Sequence, residues 1–144
     1  SCSLVGSEMC IRDRGAVGVQ LGTRFLVAKE CGVHQNYKNK VLKANDIATM
    51  STGKRLGHPV RSIKNPYTKE YFKLEYSNIS DEELEAYGRG SLYRAAVEGD
   101  EKTGCFLAGQ IAGMVNKEQT AKEIIEEIFT QAEDVLKGAT KWVK

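Results

Sequence analysis

The stretch Gly18-Val19-Gln20-Leu21-Gly22-Thr23-Arg24-Phe25 constrains this chain more than any other. Val19, Leu21 and Phe25 supply bulk at the spacing of a strand with one buried face. Gly22-Thr23 follows at once: a residue without Cβ, then a hydroxyl donor. A strand that runs into Gly-Thr presents backbone N–H groups at its C-terminal edge, and glycine lets a ligand come close to them. That arrangement suits a phosphate. Read from these residues alone, an ordinary glycine turn accounts for the same pattern.

The rest of the chain reads mainly as helix. Residues 18–21 form the strand and residues 23–28 turn helically. Residues 34–44 form a short helix, with Tyr37, Val41 and Leu42 on its apolar side and Lys38, Lys40 and Lys43 on a solvated one. Residues 46–52 and 59–63 are two extended pieces that pair as a hairpin. Pro59 restrains His58 before it. Asn65 caps a helix from Pro66 to Leu74. Ser80-Asp81-Glu82-Glu83 is a capping box and starts a helix that breaks near Gly88. Another helix spans residues 91–97 and ends at Gly99. Residues 105–108 are apolar and lead into Gly109-Gln110. The longest helix follows Asn116 as cap, with Gln119 at the box position. Ala121, Ile124, Ile125, Ile128, Ala132, Val135 and Leu136 recur on one face at helical spacing, which predicts a core face.

Residues 15–30, with Gly15-Ala16-Val17 before the strand and Leu26-Val27-Ala28-Lys29-Glu30 after it, resemble the eighth barrel strand of the flavin-dependent nitronate monooxygenase and enoyl-reductase superfamily. Three later pieces are similar to one branch of it. They are His34-Gln35-Asn36-Tyr37-Lys38, Gly57-His58-Pro59-Val60-Arg61 and Ala108-Gly109-Gln110-Ile111-Ala112-Gly113-Met114-Val115. In this order they resemble the flavin-type enoyl-acyl-carrier-protein reductases of bacterial fatty-acid synthesis. No single piece is specific; the four together carry the likeness, which extends from residue 15 to about 138.

The resemblance implies an α/β fold: the C-terminal fragment of a TIM (β/α)8 barrel, holding its last strand, followed by a mainly helical region. A whole barrel needs roughly 250 residues, and this chain has 144. The strands that cradle the flavin ring and carry the family's active-site histidine have no match here. The resemblance therefore assigns no catalytic residue to these positions and predicts that the isolated chain is inactive. Loops after the last barrel strands commonly hold phosphate. By resemblance, Gln20, Leu21, Gly22 and Thr23 lie at the phosphate of FMN, with Gly109 and Gln110 approaching the same site. NADH or NADPH is the implied co-substrate, and an acyl carrier protein thioester the implied substrate. The implied whole enzyme is a cytoplasmic homodimer. Two other readings stay open: a nitronate monooxygenase on the same scaffold, and a helical remnant without catalysis.

Residues 15–144 are thus read as a partial FMN-binding domain. Residues 1–14, SCSLVGSEMCIRDR, match nothing that the family places there. Ser-Glu-Met-Cys-Ile-Arg-Asp-Arg resembles translated sequencing-adapter DNA, and the segment is read as a non-native leader; a divergent tail is the alternative. It lacks the basic start and apolar run of a signal peptide.

Composition excludes little else. A net charge of +2 with dispersed basic residues gives no argument for nucleic acid, and no run is apolar enough for a membrane span. Cys2, Cys10, Cys31 and Cys105 show neither disulfide nor metal spacing and read as free thiols. Gly109 to Gly113 is glycine-rich, but lacks the Lys-Ser/Thr of a P-loop; close packing accounts for its small residues equally well. Arg24 reads equally as a phosphate partner and as an outward structural ion pair. His34 reads as a cap. His58 marks the reductase branch without being an acid or base.

Overall fold

The computed structural model describes residues 20–139. They form a mixed α/β unit that is mainly helical. The order is α1 (Thr23–Leu26), α2 (Gln35–Leu42), β1 (Thr49–Thr52), β2 (Val60–Ile63), α3 (Pro66–Glu75), α4 (Asp81–Gly88) and α5 (Ser91–Tyr93). Helix α5 continues as a π turn (Arg94–Glu98); a 3-10 turn (Gln110–Met114) and α6 (Ala121–Ala139) follow.

The hairpin forms as expected, but shorter. β1 and β2 pair antiparallel, with Thr49 opposite Ile63 and Thr52 opposite Val60. Residues 46–48 do not join β1. The Asn45 side chain accepts from the Ile47 N–H and the Asn45 carbonyl from the Ala48 N–H, which closes a turn. Residues 105–108 add an edge beside β2. Ile63 N–H donates to the Phe106 carbonyl at 2.8 Å, and Ala108 N–H donates to the Arg61 carbonyl at 3.1 Å. Extended chain alternates its sides. Phe106 and Ala108 enter one apolar cluster with Val27, Tyr37, Val41 and Ile63; Cys105 and Leu107 face a second one with Tyr67, Tyr71 and Leu84.

The caps at Asn65 and Ser80 form where the sequence puts them. The Asn65 side chain accepts from the Thr68 N–H, and the Thr68 hydroxyl oxygen accepts from the Asn65 N–H. Ser80 and Glu83 exchange the same pair of bonds. His34 caps α2, its Nδ1 accepting from the Asn36 N–H at 3.1 Å.

Four expectations are corrected. Gln20 and Leu21 belong to no strand, whereas Gly18 and Val19, with the leader 1–14, lie outside the described residues. The cap of α6 is Thr120, not Asn116: Thr120 and Glu123 form the reciprocal pair. The reason is that residues 117–119 run extended beside α1 and the turn after it, with Lys29 N–H donating to the Gln119 carbonyl. The apolar face of α6 is buried only at Ile124. Ile125, Phe129, Val135 and Leu136 are exposed. Finally, Lys38 is not solvated. It is 4% exposed, and its ammonium donates to the Ala28 carbonyl at 2.7 Å and pairs with Glu118 at 3.2 Å.

The charged and phenolic groups are expected to give the fold a bell-shaped pH response. The Lys38 ammonium holds the Glu118 carboxyl below the usual range. Lys117 does this for Glu127, the Thr120 N–H for Glu123, and the Thr103 hydroxyl for Asp100. A lowered folded pKa contributes stability above the unfolded value, which is lost as pH falls through the folded one. Burial acts oppositely at the phenols: Tyr67 is pushed up to about 12 and Tyr37 further. Their stabilisation is complete below the unfolded value of about 10 and lost as pH rises beyond it. The melting temperature is expected to be flat near neutrality, falling below about pH 4.5 and again above about pH 10. A melting temperature that rises on acidification from pH 5 would contradict these assignments.

Candidate functional site

The two motifs that the sequence leaves 86 residues apart meet in one hydrogen bond. Gly109 N–H donates to the Thr23 Oγ1 at 2.9 Å. One of the two lone pairs of that hydroxyl is thereby occupied, and its own hydrogen stays available to a second partner. Gly109 is extended and precedes the 3-10 turn that begins with Gln110. Gly22 precedes α1, and its carbonyl accepts from the Phe25 and Leu26 N–H groups. Around this contact Gln20, Gly22 and Gln110 are exposed, and Leu21, Thr23 and Gly109 are half-buried. Thr23 and Gly109 are brought together; Gln20, Leu21 and Gln110 make no side-chain hydrogen bond among the described residues.

Gly22 is a glycine the fold itself does not demand. Its φ is −107°, open to any residue, and a Cβ built there meets no atom within 4 Å. A group that must approach the backbone from outside the chain does demand it. The backbone at Gly22 is therefore open to an outside group on that side. Gly113 differs: a Cβ there would lie 2.7 Å from the Asn45 carbonyl carbon and 2.8 Å from the Asp46 nitrogen. Its small size serves backbone packing, which holds the 3-10 turn against the loop before β1.

Arg24 has a structural role within the chain. Its guanidinium donates to the Lys117 carbonyl and to the Gln119 side chain, so it ties α1 to the extended 117–119 strip. Lys38 does the same from below through Ala28, Lys29 and Glu118. Sequence reasoning missed both clamps, because the partners of each on the 117–119 strip lie 80 to 95 positions away. His58 is exposed in the hairpin loop. Of the thiols, Cys31 and Cys105 are free, and burial pushes the Cys105 thiol up, so it stays protonated.

The model of the family described as nitronate monooxygenase matches residues 10–131. The chain belongs to that family. Two curated relatives carry the name "Probable nitronate monooxygenase". The one from Bacillus subtilis is 25% identical over 114 residues, 79% of this chain and 33% of the relative. The one from Staphylococcus saprophyticus is 28% identical over 123 residues, 85% of this chain and 34% of the relative. The chain thus spans about a third of the length of these family members. The solved structure of FabK from Thermotoga maritima superposes with a TM-score of 0.87 at 36% identity, covering 92% of this chain and 42% of FabK. A methionine-to-alanine mutant of that protein gives a TM-score of 0.76 at 33% identity, covering 92% and 39%. The family's fold is thereby present in part. Among the described residues, no helix is long and apolar enough to cross a membrane.

Proposed function

We propose that this chain is the phosphate-holding, C-terminal part of an FMN-dependent enoyl-acyl-carrier-protein reductase. The observation that carries the reading is the Thr23–Gly109 hydrogen bond. It joins the superfamily's strand-end motif to the Gly-Gln-Ile-Ala-Gly motif of the reductase branch. The likeness to FabK, at 36% identity, supports that branch over the monooxygenases, at 25% and 28%.

In this reading the backbone N–H groups of Gly22 and Thr23 and the Thr23 hydroxyl hold the FMN phosphate. When bound, the flavin supplies hydride transfer from NADH or NADPH to the double bond of an enoyl thioester. This chain supplies position. Arg24, Lys38 and the 117–119 strip fix α1, and Gly113 fixes the turn that follows Gly109. The substrate is an acyl carrier protein thioester, and the whole enzyme a cytoplasmic homodimer. The isolated chain is expected to show no NAD(P)H-dependent enoyl reduction.

The test is a flavin titration of a full-length family member carrying Gly22→Val. Two methyls at the cradle hold the phosphate away from the backbone. Hydrogen bonds to a charged group contribute about 1.5–3 kcal/mol each. Losing one or two lowers FMN affinity by about one to three powers of ten. The fold survives, because the added atoms point into open space. Unchanged affinity would place the phosphate elsewhere. The monooxygenase reading, which the names of the curated relatives favour, is decided on the same protein. Oxygen-dependent turnover of an alkyl nitronate, without enoyl reduction, would establish it.

A further inference from the structure

The loop between the two strands, residues 53–59, is folded on itself and tied to the helices at two residues. His58 N–H donates to the Gly53 carbonyl and Gly57 N–H to the Lys54 carbonyl, both at 3.1 Å. These bonds let the loop move as one body. Gly53 is its pivot: at a φ of 81° it stands in the left-handed region where the chain leaves β1. The first tie is Leu56, half-buried against the cluster of Tyr67, Tyr71, Leu84 and Cys105. The second is Arg55. Its Nε pairs with Asp81 at 2.8 Å, and its two other guanidinium nitrogens donate to the Ser77 and Ile79 carbonyls at 3.2 and 2.6 Å. Its backbone N–H donates to Glu75 Oε1 at 2.9 Å. One loop residue thus holds the end of α3, the turn after it and the start of α4.

The closed loop carries a cost that opening would relieve. Glu75 is 3% exposed. Its Oε1 has the Arg55 N–H, and its buried Oε2 has no hydrogen-bond partner among the described residues. The Arg55 guanidinium does not serve it, being engaged by Asp81 and the two carbonyls. A carboxylate oxygen held away from water without a donor is unfavourable, and water reaches it when the loop lifts. Leu56 and the Arg55 bonds oppose this. Leu56 is only half-buried, and a solvent-exposed ion pair contributes little. The opposing effects are thus close in size, the condition for local opening. Behind the loop lies a cleft of about 220 Å³, with Thr52, Gly53 and His58 on the hairpin side and Tyr67, Tyr71 and Cys105 among its other walls.

We propose that residues 53–59 are a latched flap: Arg55 holds it shut over this cleft, and the buried Glu75 carboxylate keeps it close to opening. The flap is independent of which reaction the whole enzyme performs.

The Cys105 thiol, 5% exposed, is a built-in reporter of opening. The full chain is alkylated with iodoacetamide at mildly alkaline pH, and each labelled cysteine is followed by peptide mass. Cys31, half-buried outside the flap, is the control. Amide hydrogen exchange at residue 55 is read beside that of Ile63, whose N–H is bonded to the Phe106 carbonyl in the core. Arg55→Gln is expected to speed Cys105 labelling and residue-55 exchange about tenfold, the equivalent of one charge-assisted bond. Cys31 and Ile63 should keep their rates. Glu75→Gln keeps an acceptor for the Arg55 N–H and removes the buried charge. A neutral amide costs less to bury than a carboxylate, so this variant should slow both readouts at least about threefold. The opposite signs separate a latch from a general loss of stability. Unchanged rates in either variant, or a flap that opens in Glu75→Gln as in Arg55→Gln, would overturn the proposal. So would Cys31 and Ile63 quickening together with the flap, because the loop would then open only by unfolding of the whole unit.

Discussion

Phe106→Ala is expected to lower the melting temperature by about 10–20 °C, from a loss of about 3–5 kcal/mol. Phe106 is fully buried. Its ring meets Tyr37 edge-on at 5.0 Å, and the Lys40 ammonium sits 5.2 Å from its centroid. Its carbonyl accepts from the Ile63 N–H. Tyr37 in turn donates its hydroxyl to the Leu107 carbonyl at 2.6 Å. One ring thus joins α2 to the edge beside β2, and alanine would leave a cavity where they meet. Phe106→Leu keeps most of the volume and should cost less than half as much. Thermal or urea unfolding of both variants checks this. A shift of under about 3 °C for the alanine, less than 1 kcal/mol, would mean that the two elements do not share a core.

Lys38→Met is the second large effect, at about 2–4 kcal/mol. Methionine keeps the apolar stem but removes every donor. The Ala28 carbonyl, on a residue 4% exposed, then has no ammonium beside it, and Glu118 loses its pair. Breaking a buried pair from one side is costly because the remaining polar groups stay desolvated. Glu118→Gln should be milder, since that carboxylate is partly exposed. Lys38→Met should also remove the Glu118 share of the acid-side loss of stability. Urea unfolding at pH 7 and pH 4 measures both. A stability equal to that of the parent chain would make Lys38 the solvated residue that its helix pattern suggests.

That contrast marks what the sequence discloses and what it withholds. The caps at Asn65 and Ser80 are legible because donor and acceptor lie three residues apart, so no tertiary knowledge is needed. The hairpin is legible from its two extended runs, though its near end is shortened by a side-chain turn at Asn45. Lys38 is misread because a lysine among helix formers is ordinarily solvated, and its carboxylate partner comes from a segment 80 residues away. The same distance hides the cap of α6. Asn116 is a sound local start, yet the pairing of Gln119 beside Ala28 keeps the chain extended up to Thr120. The periodic face of α6 is real, but period reports amphipathicity and not the presence of a neighbour. At the candidate site, the residue types in each motif are readable, whereas the bond between Thr23 and Gly109 is a fact of topology.

The 86-residue span of that bond has a consequence in time. A ribosome adds about 5–20 residues per second, so Thr23 waits about 4–17 s after its own synthesis before Gly109 even exists. The partners of Arg24 and the carboxylate partner of Lys38 arrive later still, at Lys117 to Gln119. Contacts so distant must first meet the entropy of closing a long loop. The Thr23–Gly109 contact therefore forms late in the synthesis of this unit. A nascent chain stalled before residue 109 would carry every residue of the motif at 18–25 and lack the Gly109 bond to Thr23.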